Sequence, residues 1–306
     1  MYNREIKERF LSEYDGNRKS GARQIFEVVS EYEAACNKDL AQMQKSEICE
    51  ALKYAQIGTY STAFGVLSFV RSYVKWCDDS LVFSGISVDD SMLVVDDIDI
   101  SDSIQRLYFR TENELINCLK SVRPLDDGYY DIIVTLFSWL GIPQKQVANI
   151  KISDVDLENK TVRFDGAYIP FSDNIKEILA LYAKTKTGTR EAAGGQRVVY
   201  RDDSYDTFVR RFSPPKQLGK KITTSQIEDS VYLLNKAYVE AGNSPRFTGG
   251  NVLASGALRR VYELEQSGVD VFSIKNKDLV VNAYRVKAKL YEILWQYKNY
   301  KKAFNL

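Results

Sequence analysis

Twenty tyrosines, 42 lysines and arginines and no histidine make up the reactive side chains that matter in these 306 residues. Without an imidazole there is no Ser-His-Asp or Cys-His nucleophile, no histidine acid–base catalyst and no zinc site that draws on histidine. The cysteines Cys36, Cys49, Cys77 and Cys118 are far apart and form no C-x-x-C pair. They are expected to be free, buried thiols of a reducing cytoplasm, not metal ligands or a disulfide framework. No metal and no cofactor is expected, so the chemistry left open is that of tyrosine hydroxyls and of cations acting on anions.

The cations are unevenly placed. Net charge is +1, but residues 1–110 hold 13 Lys and Arg against 18 acidic residues, and the rest hold 29 against 23. Most of the excess lies in one run with Lys184, Lys186, Arg190, Arg197, Arg201, Arg210, Arg211, Lys216, Lys220 and Lys221. Only Glu191, Asp202, Asp203 and Asp206 oppose them, and Gly188, Gly194, Gly195, Tyr200, Tyr205 and Phe212 are interleaved. A solvated face is the plainest reading of any charge run. The mixture of glycine, aromatic and basic residues also fits contacts to a phosphate backbone.

The elements that must position these groups are mostly helical. A helix capped by Ser46 is expected to reach Ile57, and another to run from Ser61 to Cys77 with Phe64, Leu67, Val70, Val74 and Cys77 on one face. Arg71 and Lys75 share a different face of it. Residues 78–102, acidic at Asp89, Asp90, Asp96, Asp97, Asp99 and Asp102, read as a linker anchored at Met92–Val95. Thr111 and Glu114 form a capping box, and the apolar run Tyr129–Leu140 is a buried helix too short to span a membrane. Thr161–Phe164 and Tyr168–Phe171 flank Asp165-Gly166-Ala167, a hairpin signal. Ser172 caps a helix to Lys184. Gln196–Tyr200 reads as a strand, Asp203–Phe212 as a short helix, Ser225–Ala241 and Val252–Gln266 as helices, and Asp278–Lys302 as a helical tail.

In that order these segments resemble the tyrosine recombinase (phage integrase) family. Asp39–Ile57, Thr59–Ala63 and Phe69–Trp76 look like its helical core-binding domain. Thr111–Leu115 looks like the opening of its catalytic domain, and Leu136–Asp156 is similar to the helix–turn–helix that carries its first catalytic arginine. The implied fold is mainly α with a small antiparallel β-sheet (α+β). The implied domains are an N-terminal helical segment (1–35), a core-binding domain (36–88), a linker (89–110) and a catalytic-type domain with a C-terminal tail (111–306).

The resemblance also implies which residues should cleave DNA, and they are missing. The first arginine should follow Leu140-Gly141-Ile142, where the chain has Pro143, which donates no side-chain hydrogen bond. The hairpin lysine is replaced by Asp165-Gly166-Ala167. The His-x-x-Arg box falls in Gly250–Arg260, where one register reads Asn251 and Ala254 and another Ala254 and Ala257. Arg259 and Arg260 lie one to two turns on. Tyr284 and Tyr291 stand near the nucleophile's place. Losing every group that stabilises a phosphorane or protonates the leaving oxygen leaves no catalysis. The expectation is a protein that binds double-stranded DNA, choosing a sequence, and does not cut it. A phage or prophage repressor that maintains lysogeny is the leading role. An accessory factor for a true integrase, or an active recombinase with a rearranged site, are the alternatives.

Base readout is expected from Tyr60, Ser61, Thr62, Arg71 and Lys75 and from Lys145 of the helix–turn–helix; the basic run with Arg259 and Arg260 would hold phosphates. The tail, with Ala288, Tyr291, Leu294, Trp295 and Lys298 at helical spacing, needs something to cover it. A homodimer through the tail is one answer and docking on its own domain the other. Release from DNA leaves room for a small protein or peptide effector. No membrane segment is present in the reading, and a cytoplasmic protein of a bacterial host, associated with the nucleoid, is expected.

Overall fold

Hydroxyl caps start most of the longer helices. In the computed structural model, which describes residues 1–53, 55, 57–84, 93–192 and 195–306, Thr59, Thr111, Ser172, Thr223 and Thr248 each accept a backbone N–H from three residues on. Each satisfies one of the orphan donors of a helix start. The chain divides into two compact units, Met1–Gln105 with Lys289–Leu306, and Arg106–Ala288.

The first unit is all helical among its described residues. Helices α1 (Arg4–Leu11), α2 (Gly16–Cys36), α3 (Lys45–Leu52) and α4 (Tyr60–Asp79) pack around Phe10, Phe26, Tyr73 and Val70. Helix α3 starts one residue before the expected cap at Ser46, because Glu47 reaches back to the Gln44 amide, 2.8 Å. It ends at Leu52, short of Ile57, and Tyr54 and Gln56 lie outside the described residues. So do Asp89, Asp90 and Met92 of the expected linker. The remainder of that linker is not an open connection. Leu93, Val95, Ile98, Ile100 and Ile104 are buried, and α5 (Ser101–Leu107) is fastened by Ser103 donating to the Ala55 carbonyl, 3.1 Å. Five buried apolar side chains make this stretch part of the unit.

The last helix of the chain, α13 (Leu290–Phe304), also belongs here. Ile293, Tyr297 and Tyr300 are fully buried, Gln296 Nε2 donates to the Gly58 carbonyl at 3.0 Å, and Lys302 pairs with Asp99 at 2.8 Å. The tail is therefore covered within the chain, which removes the ground for a homodimer through it and takes it out of the 111–306 domain. The expected single tail helix is also broken: α12 (Lys277–Tyr284) stops at Arg285, which adopts a left-handed φ of 58°. Leu294 is half-buried and Lys298 exposed, whereas Ala288 precedes the helix.

The second unit builds one core from α6 (Glu112–Val122), α7 (Tyr130–Trp139), α9 (Asp173–Lys184), α10 (Thr224–Glu240) and α11 (Gly249–Gln266), with the short α8 (Gln144–Val147) after α7. Every residue of α7 from Asp131 on is buried, as its apolar run requires. Strands β1 (Val155–Asp156), β2 (Thr161–Phe164) and β3 (Ala167–Pro170) form an antiparallel sheet in the order β1-β2-β3. Asp165 and Gly166, both with positive φ, make a two-residue turn, so Ala167 pairs with Phe164 in place of standing in the turn.

The basic run folds as a second sheet, β4 (Thr187–Ala192), β5 (Gly195–Arg201) and β6 (Phe212–Ser213). The expected helix over Asp203–Phe212 does not form. Lys151 bridges Thr207, and Tyr182 both donates to the Arg210 carbonyl and accepts from its amide, at 3.1 and 2.9 Å, which holds that stretch as an irregular loop. Helix α10 is capped by Thr223 with Gln226, two residues ahead of the expected Ser225 box, and α11 by Thr248. Of the cysteines Cys77 alone is buried; the other three are half-buried, and all are free thiols.

Candidate functional site

Two helix starts, those of α8 and α11, meet in the second unit. Gly141, at φ 101°, turns the chain out of α7 in a conformation that favours glycine, and Pro143 then caps α8 from its N-terminal side. The Gln144 side chain occupies the space that a Cβ on Gly249 would take, so the start of α8 touches the start of α11. The Gln144 Nε2 is buried without a hydrogen-bond partner among the described residues. Asn251 is spent locally: its Nδ2 donates to the Pro245 carbonyl at 3.0 Å and its amide to Thr248 Oγ1 at 3.2 Å. Ala254 is half-buried one turn further along. The turn of the β2–β3 hairpin presents Asp165, beside Asp154 and Arg163, which pair at 2.8 Å and line a cavity of about 440 Å³ with Gln146 and Asn149. The corner holds amides, a proline, carboxylates and one guanidinium, Arg163, which is paired with Asp154.

The two arginines further along α11 point elsewhere. Arg260 donates to three carbonyls, Trp139 at 2.7 Å, Ala283 at 2.8 Å and Tyr284 at 3.2 Å, and so joins α7, α11 and α12. Burial, with the nearby Arg285 charge, pulls its guanidinium down to about 9, and Arg285 itself donates to the Leu140 carbonyl at 3.1 Å. Arg259 lies against Glu263, 2.8 Å, and over the Tyr262 ring. Their assignment to phosphates gives way for Arg260, whose donors are committed to the fold. Tyr284 is buried at the end of α12, and Tyr291 belongs to the other unit, where it packs edge-on against Tyr60 at 5.2 Å.

The basic run divides into inward and outward groups. Arg190 lies 3.8 Å over the Tyr129 ring and donates to the carbonyls of Asp127 and Gly128. Arg201, Arg210 and Lys186 surround Asp203, with Arg201 and Lys186 at 2.6 and 2.9 Å. Burial opposes ionisation of Asp203, but these three cations outweigh it and hold the carboxyl well below the usual carboxylate range. Arg190, Arg201 and Arg210 are therefore structural, which corrects their assignment to DNA. Arg211 is half-buried and reaches Gln217 at 3.5 Å. Lys184, Arg197, Lys216, Lys220 and Lys221 are exposed, and Gly194 lies outside the described residues.

A buried carboxylate places part of that outward group. Asp202 accepts the amides of Gly219 at 2.6 Å, Lys220 at 3.0 Å and Ser204 at 3.1 Å. Desolvation raises its pKa, but the bonds from Ser204, Lys220 and Gly219 win and leave it lowered. The loop so pinned carries Lys221, whose Nζ is 3.4 Å from Asn149 in the turn after α8. Lys145 on α8 is 76% exposed, 3.7 Å from Glu228, and Lys151 is exposed near Asp206, 3.6 Å. Lys151 was not singled out by the sequence; its bridge to Thr207 is a tertiary contact with no local signal.

In the first unit Ser61 and Thr62 are exposed at the start of α4, with Thr62 Oγ1 at 2.9 Å from Thr59 Oγ1, and Lys75 is exposed beside Asp79 at 3.1 Å. Tyr60 instead packs on Tyr291 and Trp295. Arg71 donates to the Leu93 carbonyl, and its Nε is buried. Neither side chain is placed to read a base. Among the described residues no helix is long and apolar enough to cross a membrane, and no cluster of acidic or thiol side chains is placed to hold a metal.

Residues 1–79 match the model of the family described as MrpR, N-terminal core-binding domain. The match begins at the first residue and takes in α1 and α2, which the sequence division had set apart from the core-binding domain. None of the curated proteins compared matches the chain. Among solved structures the chain is similar to the integrase of the transposon Tn1549. In complex with a circular intermediate DNA the TM-score is 0.38 at 13% identity, covering 96% of this chain and 94% of that one. With the transposon right end DNA the TM-score is 0.40 at 14% identity, with the same coverage. Superpositions at these scores equate no individual residues.

Proposed function

We propose that the chain is a tyrosine-recombinase-type protein that binds chosen sites on double-stranded DNA and does not cut them. The observation that carries this reading is the division of labour in the second unit. Where the resemblance calls for cleaving groups there are Pro143, Asp165, Asn251 and Ala254, while exposed lysines at 145, 151, 220 and 221 flank α8 and the loop pinned by Asp202. Phosphate contacts need only positive charge and a fixed backbone, whereas transesterification needs a placed acid and several cations at one phosphorus. The match of residues 1–79 to a core-binding domain supports a second, helical DNA contact, for which Ser61, Thr62 and Lys75 are the exposed candidates.

The role that fits such a protein is a repressor that maintains lysogeny in a phage or prophage, similar to the integrase-like master repressor of the SPbeta group of Bacillus phages. A protein that occupies its site without chemistry excludes polymerase for as long as it stays bound. The test is capture of sheared host and phage DNA by the purified protein, washing in rising salt, sequencing, and a search for SDS-resistant adducts. Salt-sensitive enrichment at promoters with no adduct is expected. Enrichment at attachment sites would make it an integrase accessory factor, and a covalent tyrosine adduct would make it an enzyme.

A further inference from the structure

Three charged side chains in the first unit touch no solvent. Lys7 of α1, Glu33 of α2 and Asp39 in the following turn are each fully buried. Lys7 donates to both carboxylate oxygens of Glu33, and its Nζ is 3.9 Å from Asp39 Oδ2. Asp39 also accepts from Asn3 Nδ2 at 3.0 Å, the Ala41 amide at 3.0 Å and the Tyr73 hydroxyl at 2.9 Å. Glu33 has one other donor, the Leu40 amide at 2.8 Å. Phe26 closes the site, its ring centroid 5.0 Å from Nζ, and the Tyr2 ring lies 5.9 Å away.

One ammonium facing two carboxylates leaves a net negative charge where no water reaches it, and an unpaired buried charge is strongly unfavourable. A bound proton cancels it. The remaining titratable neighbours, Tyr73 and Cys77 of α4, are already protonated: burial pushes the Tyr73 hydroxyl far up and the Cys77 thiol to about 12. Glu33, whose one neutral donor is the Leu40 amide, is the carboxyl whose proton is held by burial. Desolvation raises it to about 7 against the opposing pull of Lys7.

We propose that Lys7, Glu33 and Asp39 form a buried proton-binding site through which the docking of α1 on α2 and α4 responds to pH. A carboxyl that binds its proton more tightly folded than unfolded stabilises the fold fully below the ordinary carboxylate range. That contribution is lost as pH rises through the folded value, about 7.

The test uses the full chain. Amide exchange of residues 4–11, corrected for intrinsic rates, is compared at about pH 5.5 and about pH 8.5, with an expected rise of about tenfold or more in the opening of α1 at the higher pH. Helix α7 serves as the internal reference, and Glu33→Gln is expected to abolish the difference. Should that variant fail to fold, carboxyl-carbon NMR of the unaltered chain decides: one glutamate titrating near neutrality is expected. Equal α1 protection at both pH values, or carboxyl titrations that are all complete below about pH 5.5, overturns the proposal.

Discussion

The buried Lys7–Glu33–Asp39 cluster and the corner between α8 and α11 treat charge in opposite ways. In the first, three ionisable groups are sealed among aromatic rings and hold α1, α2 and α4 together. In the second, the place where the resemblance calls for converging cations is filled by Pro143, Gln144 and a self-satisfied Asn251. Buried charge fastens helices in the first unit, and the corner between α8 and α11 is built from a proline and amides instead. The arginines of the second unit follow the same rule, since Arg260, Arg201 and Arg210 spend their donors on carbonyls and on Asp203.

The comparison can be broken most easily at its charged end. Lys7→Met leaves the buried Glu33 and Asp39 carboxyl groups without their cation and is expected to lower stability by about 3–5 kcal/mol, read by urea unfolding. If the loss is under about 1 kcal/mol, solvent or a rearrangement reaches the cluster and the contrast weakens. Arg260→Ala strands three carbonyls and should remove about 2–3 kcal/mol, whereas Arg259→Ala, which gives up a half-exposed pair with Glu263 and a contact with the Tyr262 ring, should stay within about 1 kcal/mol. Gly256→Ala sets a Cβ on the Trp139 carbonyl where α11 crosses α7 and should cost about 1–3 kcal/mol in the same assay.

The other end is sharpened by smaller effects. Lys220→Ala should weaken DNA binding across all sequences and lower the slope of log K against log salt by about one, with stability unchanged. Arg201→Ala, by contrast, should lower stability and leave that slope alone, because its guanidinium is committed to Ala183 and Asp203. Pro143→Arg restores one cation to the corner; the expected result is no covalent adduct with DNA. An adduct would show that one side chain, and not the whole constellation, had been the barrier.

Much of the framework was legible in local signals. Thr111, Ser172 and the Asp165-Gly166 turn do what their residue types dictate, because a cap or a tight turn is decided within four residues. Where a reading failed, a distant partner had overruled the local pattern. Asp203–Phe212 had a helical look, yet Tyr182 and Lys151, more than twenty residues away, hold it as an irregular loop. Tyr60 and Arg71 had the types and spacing of base readers, but Trp295 and the Leu93 carbonyl claim them. The tail's apolar stripe called for a partner without saying which; the partner is α4 with the segments around Gly58 and Asp99 of the same unit.

By itself the sequence determined which residue types stand where the resemblance calls for cleaving groups, a proline at 143 and no histidine anywhere in the chain. It also determined the local starts of helices and the hairpin turn, whose energetics are short-range. Tertiary structure alone decided which cations face solvent. A guanidinium turned toward carbonyls and one turned toward water are the same letter in a sequence, and only packing chooses between them. It likewise decided that Lys7 of α1 lies sealed beside two carboxylates from other elements.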